Sequence, residues 1–144
     1  MIVINVEAVT TVIYAQSALY YHLHGGERPA VLCRDQQAAL EECVRGGFAT
    51  MILRLYPYMS DVRLEDSSML GCELREEYGG IVQAKHLRAI LETALAHYVI
   101  HLVAMDYDHK MSDRYLGQYL TVMGDLEASL SGCNTVVRLT AHYL

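Results

Sequence analysis

Apolar residues return every three or four positions between Leu40 and Leu55. Leu40, Cys43, Val44, Gly47, Phe48, Met51, Ile52 and Leu55 fall on one helical face. Asp35 offers a carboxylate to the free N–H groups of a first turn, and Pro57 stops the run, so the spacing predicts a helix over residues 35–56. Gly46 and Gly47 interrupt it, each costing about 1 kcal/mol relative to alanine. The apolar pattern keeps its phase across them, which favours close approach by another helix over a kink. The same reasoning predicts three more helices. One runs from about Thr11 to His24, with Thr10 or Thr11 as cap and Gly25-Gly26 as stop. A long one covers residues 81–105, with Leu87, Ile90, Leu91, Ala94, Leu95, Tyr98, Val99, Leu102 and Met105 as its stripe. The last covers residues 112–131, capped by Ser112 and stopped by Gly132, with Tyr115, Leu116, Tyr119, Leu120, Met123, Leu126 and Leu130 facing inward.

Elsewhere the period shortens to two. Ile2, Ile4 and Val6 alternate with Val3 and Asn5, as a short strand or an extended arm would. Val62 and Leu64, then Leu70, Cys72 and Leu74, alternate on either side of the turn-forming run "EDSS" at residues 65–68. A β-hairpin is expected there, with Gly71 as a site for a bulge, and a helical alternative stays open. The tail "NTVVRLTAHYL" is β-prone. The fold class expected is mainly α: one domain over residues 1–144, built as a four-helix bundle-like unit with a small hairpin, a short N-terminal arm and a C-terminal tail.

Composition narrows the function classes. The 144 residues carry 17 acidic against 11 basic side chains, a net charge of −6, with no basic run, which argues against direct binding of nucleic acid. Only 19% of residues are charged while 53% are hydrophobic, which points to surface covered by a partner or by copies of the chain. The 11 tyrosines against a single phenylalanine fit positions buried on one side and wet on the other, at subunit contacts or within a small bundle. The four cysteines form no Cys-x-x-Cys pair. The start lacks a signal-peptide pattern, and no uninterrupted apolar stretch reaches about 18 residues, so no membrane is expected and the location expected is cytoplasmic.

Candidate chemistry concentrates in "AHYVIHLVAMDYDHK", residues 96–110. His97 and His101 stand four residues apart, hence one turn apart on a single helical face, a spacing that suits two imidazoles on one metal ion. Asp108 comes nearly into phase if the helix lasts that long, and His22 or His24 offers a third ligand from the first helix. The competing reading makes His97 and His101 packing groups at the boundary, His101 toward the edge of the apolar stripe and His97 just beyond it. His-Tyr-Val-Ile-His lacks the glutamate that a His-Glu-x-x-His hydrolase places beside its first ligand, so no metal and no cofactor are expected. "MDYDHK" then reads as a solvated helix end, with His109 and Lys110 complementing its negative pole. No Gly-x-Ser-x-Gly elbow, cysteine nucleophile motif or glycine-rich phosphate loop is present.

The order of these segments, from "VEAVTT" through "CRDQQAALEECVRGGFATMILRLYPYMSD" and "DVRLEDSSMLGCELRE" to two long helices and a short tail, resembles that of small proteins encoded in Bacteroides-type prophages. Some of those look like helical head–tail connector or tail-completion components. The resemblance covers most of the chain and rests on layout. It implies a ring or stack of identical subunits that exchange an arm or tail, other structural proteins of a phage particle as partners, and a place in the bacterial host cytoplasm or the virion. No catalytic residue carries over. The leading expectation is a non-enzymatic, self-associating structural or assembly protein. The alternatives are a metal-binding helical-bundle enzyme using His97 and His101, and a small cytosolic ligand-binding or regulatory module.

Overall fold

The computed structural model describes residues 1–64, 68–80 and 83–143, and their side chains except at 84 and 133–143. It is mostly helical, with four α-helices and a small antiparallel sheet among the described residues. The helices are α1 (Val6–His24), α2 (Gln37–Leu55), α3 (Ala84–Ala104) and α4 (His109–Tyr143). The strands are β1 (Ile2–Asn5), β2 (Met59–Arg63) and β3 (Met69–Leu74).

The expected hairpin is present as β2 and β3, and it acquires a third strand. β1 lies antiparallel to β3, with Ile2 opposite Cys72 and Ile4 opposite Leu70, so the strand order is β1-β3-β2. The N-terminal segment is therefore a strand in this chain's own sheet. Alternation explains the pairing: Ile2, Ile4, Leu70 and Cys72 are buried on one face, while Val3 and Met69 face outward. The register shift falls in β2 between Met59 and Asp61, not at Gly71. A Cβ on Gly71 would lie 3.3 Å from the Met1 sulfur and 3.4 Å from the Arg63 Cβ, so glycine there admits the neighbouring strands. Residues 65–67 of the expected turn lie outside the described residues, as does the expected start of the third helix at Ile81.

Several helix ends differ from those the sequence predicts. α1 starts at Val6, five residues early, because Asn5 ends the strand and caps the helix, its Oδ1 accepting from the Ala8 N–H at 3.2 Å. Thr10 and Thr11 are interior, and both hydroxyls donate back to the Glu7 carbonyl. Gly25 ends α1 as expected, at φ 73°. Asp35 does not cap α2. It sits in a 3₁₀ turn, Arg34–Gln36, that follows another at Ala30–Leu32; together they carry Leu32 into the core before the α-helix begins. α4 starts at His109 rather than Ser112, and it passes through Gly132 to Tyr143, where a stop and a β-prone tail are expected. One glycine costs a helix only about 1 kcal/mol, and no proline follows to end it.

α3 is the centre of the molecule: α1, α2, α4 and β1 all pack on it. By length and composition alone its Lys85–Ala104 stretch would cross a membrane. The core helix of a folded domain passes the same test, and Leu91, Ala94, Leu95, Ala96, Val99 and Ile100 are all buried while Lys85, His86 and Arg88 are exposed. Leu102 and Met105, expected inside, are exposed, because the buried face has turned to Ile100, Val103 and Ala104. The close approach expected at the glycine pair occurs at Gly47 alone. A Cβ there would lie 3.1 Å from a Val99 methyl and 3.3 Å from one of Leu95, whereas Gly46 faces open space. The α2 stripe is buried as expected, with Phe48, Met51 and Leu55 fully enclosed. Arg54 pairs with Glu127, and Tyr58 shares a 2.7 Å hydrogen bond with Ser131; both join the end of α2 to α4.

Candidate functional site

The tyrosines and histidines of α1, α3 and α4 meet where these helices face one another. Tyr20 is buried, stacks on His24 at 4.4 Å and meets Tyr115 at 6.2 Å between ring centres. Tyr115 also faces His97 at 5.5 Å, and Tyr98 packs on Tyr119 at 4.7 Å. Such edge and tilted contacts add roughly 0.5–1.5 kcal/mol each beyond the area they bury. Burial pushes the phenols of Tyr20, Tyr115 and Tyr119 upward, so all three remain protonated donors at neutral pH.

The five residues weighed as metal ligands take separate positions. His101 closes onto the first turn of α4. Its Nδ1 lies 2.8 Å from the Ser112 hydroxyl, which donates to the His101 carbonyl at 3.0 Å. With the hydroxyl proton committed to that carbonyl, Nδ1 is the donor to Oγ, which fixes the Nδ1–H tautomer. Asp108 lies beyond the end of α3 and caps α4. Its Oδ1 accepts from the Met111 N–H at 3.1 Å and its Oδ2 from the Tyr21 hydroxyl at 3.3 Å. Burial, and then the Asp108 carboxylate, push the Tyr21 phenol up to about 12. His109 and Lys110 therefore open α4 at its positive pole, instead of complementing the negative pole of α3. His22 is exposed. His24 is also exposed, and its Nδ1 donates to the Tyr20 carbonyl at 3.0 Å. Among the described residues, no three His, Cys, Asp or Glu side chains gather as a metal would need.

His97 differs from the others. It is 8% exposed, and its Nδ1 is buried without a hydrogen-bond partner. Burial holds the imidazole below its ordinary pKa, so it is neutral at pH 7. It stands at the base of a cleft of about 300 Å³ between α1 and the first turns of α4. Gln16 and the exposed Leu19 and Leu23 line the α1 side; Arg114, Tyr115 and Gln118 line the α4 side. His24 shares this cleft with His97, while His101 does not. Sequence reasoning placed His97 just beyond the edge of the apolar stripe and offered His24 as a neighbour from α1, but missed its other companions. Arg114 and the two glutamines read as ordinary solvated positions, and only the i, i+4 pair Leu19 and Leu23, continuing an apolar face to the end of α1, hinted at them.

No family model, curated protein or solved structure matches this chain.

Proposed function

We propose that this chain is a non-enzymatic structural or assembly protein of phage or prophage origin, a head–tail connector-like subunit whose four helices act as a bundle-like unit. It self-associates, works beside other structural proteins of a phage particle, and resides in the bacterial cytoplasm or the virion. One observation carries the self-association. The Tyr21–Asp108 hydrogen bond holds the last turns of α1 beside the turn that joins α3 to α4. Around that end stand Leu23, Leu102, Met105 and Tyr107, 68%, 37%, 46% and 72% exposed. Large apolar side chains gathered at one end, with Met and Tyr among them, have the composition of an interface core. The phage assignment is supported by the layout of the sequence.

Sedimentation velocity over a range of concentrations tests the reading. The chain should form a discrete oligomer, and Met105→Glu with Tyr107→Ser should shift it to monomer without changing its helical circular dichroism. A wild-type chain that stays monomeric at the highest concentration contradicts self-association.

A further inference from the structure

The cleft at His97 carries an inference argued from its own lining, although it shares Leu23 with the end proposed for self-association. The buried Nδ1 of His97 has no donor or acceptor within reach. An orphaned buried N–H is rarer than an under-used acceptor, so the proton of the neutral ring resides on Nε2, the nitrogen that is not sealed off. His97, whose ring lines this cleft and the neighbouring opening along α4, thus has a free N–H to offer there. At the rim Arg114 is exposed and makes no ion pair among the described residues. No aspartate or glutamate lines the cleft, although the chain as a whole carries a net charge of −6. The remaining lining is the apolar or aromatic Leu19, Leu23, Tyr20 and Tyr115, with the uncharged amides of Gln16 and Gln118 and the ring of His24. Leu19 and Leu23 are 58% and 68% exposed, large apolar side chains left facing water beside the opening.

We propose that this cleft binds a small organic acid, with its carboxylate on the Arg114 guanidinium and the His97 Nε2–H and its apolar body against Leu19, Leu23 and the tyrosine rings. Arg114 brings a fixed positive charge and no carboxylate lines the cleft, which selects an anion over a cation, while the Gln16 and Gln118 amides can take further polar atoms of the acid. The volume lies at the small end of ligand sites, which suits an aryl or short alkyl acid.

Calorimetric titration of the full chain with phenylbutyrate, and with phenylbutanol as its uncharged counterpart, tests this. The acid should bind saturably, and the alcohol about tenfold or more weakly, the difference expected from loss of one charge-assisted hydrogen bond. Arg114→Gln should weaken the acid about tenfold and leave the alcohol unchanged. Leu19→Glu should weaken both. Arg114 and Leu19 are exposed, so both variants keep the fold, which a thermal melt verifies. No saturable binding at millimolar acid, equal binding of acid and alcohol, or an Arg114→Gln variant that binds the acid like wild type would each overturn the proposal.

Discussion

α3 is closed at two places and open at a third. Against α2, the absent side chain of Gly47 lets Leu95 and Val99 press to within 3.3 Å and 3.1 Å of where a Cβ would stand. Near its C-terminal end, His101 is fastened to Ser112 by hydrogen bonds in both directions. One turn earlier, His97 has the same ring on the same helix, yet no hydroxyl faces it and a cleft stands over it. The difference is made by the partner helix. α4 presents a serine at one level and a tyrosine ring and an arginine one turn away. Identical side chains at helical spacing therefore divide into a structural clasp and a free donor.

The contrast breaks most easily on the closed side. Gly47→Val puts a branched side chain where the helices touch, and the overpacking should cost roughly 2–3 kcal/mol in urea denaturation. Ser112→Ala comes next. It removes the hydroxyl that partners both the His101 Nδ1 and the His101 carbonyl, leaving Nδ1 the longer 3.2 Å contact with the Ser112 carbonyl, and a loss of about 1 kcal/mol is expected by the same assay.

On the open side the effects are smaller and depend on pH. Burial holds His97 below its ordinary value of 6.5, so between 6.5 and the folded value the unfolded chain binds more protons. The His97 contribution is intact above 6.5, declines as pH falls through that window, and is fully lost below the folded value. The difference between wild type and His97→Phe, followed by denaturation from about pH 8 to about pH 5, isolates it: wild type should lose more stability on acidification. At neutral pH the same variant should differ from wild type by less than about 1 kcal/mol, since an apolar ring replaces a group with an unused acceptor. A larger loss would mean that Nδ1 has a partner after all.

The parts of this arrangement legible in the sequence are those set by a single element. The α2 stripe, the Gly25 stop and the alternation in β3 are local patterns, and each appears where the spacing puts it, whereas β2 starts at Met59 with a register shift and leaves Leu64 exposed beyond its end. The close approach at the glycine pair was also readable, because an unbroken apolar phase across Gly46 and Gly47 has no other economical cause. What escaped was set by neighbours. Asn5 looks like the outward side of a strand until a helix follows it directly. Asp108 looks like the solvated end of one helix, and only the chain reversal makes it the cap of the next. Ser112 reads as a cap because its hydroxyl fits one, but its position across from His101 takes that hydroxyl away. The cleft depends on three helices at once, so Arg114 and Gln118 carried no signal of belonging with His97, and Leu19 only that of an apolar face continued to the end of α1. The tail shows the opposite failure: up to Tyr143, a local preference for strand is overridden by a helix already under way.

Long-range nitrogen–proton correlation spectra at neutral pH read both imidazoles in one experiment, with His97→Phe and Ser112→Ala supplying the assignments. His97 should carry its proton on Nε2 and His101 on Nδ1. Finding the His97 proton on Nδ1 would mean that the buried nitrogen has an acceptor and the cleft has no imidazole donor, which contradicts the division of α3 into clasp and open site.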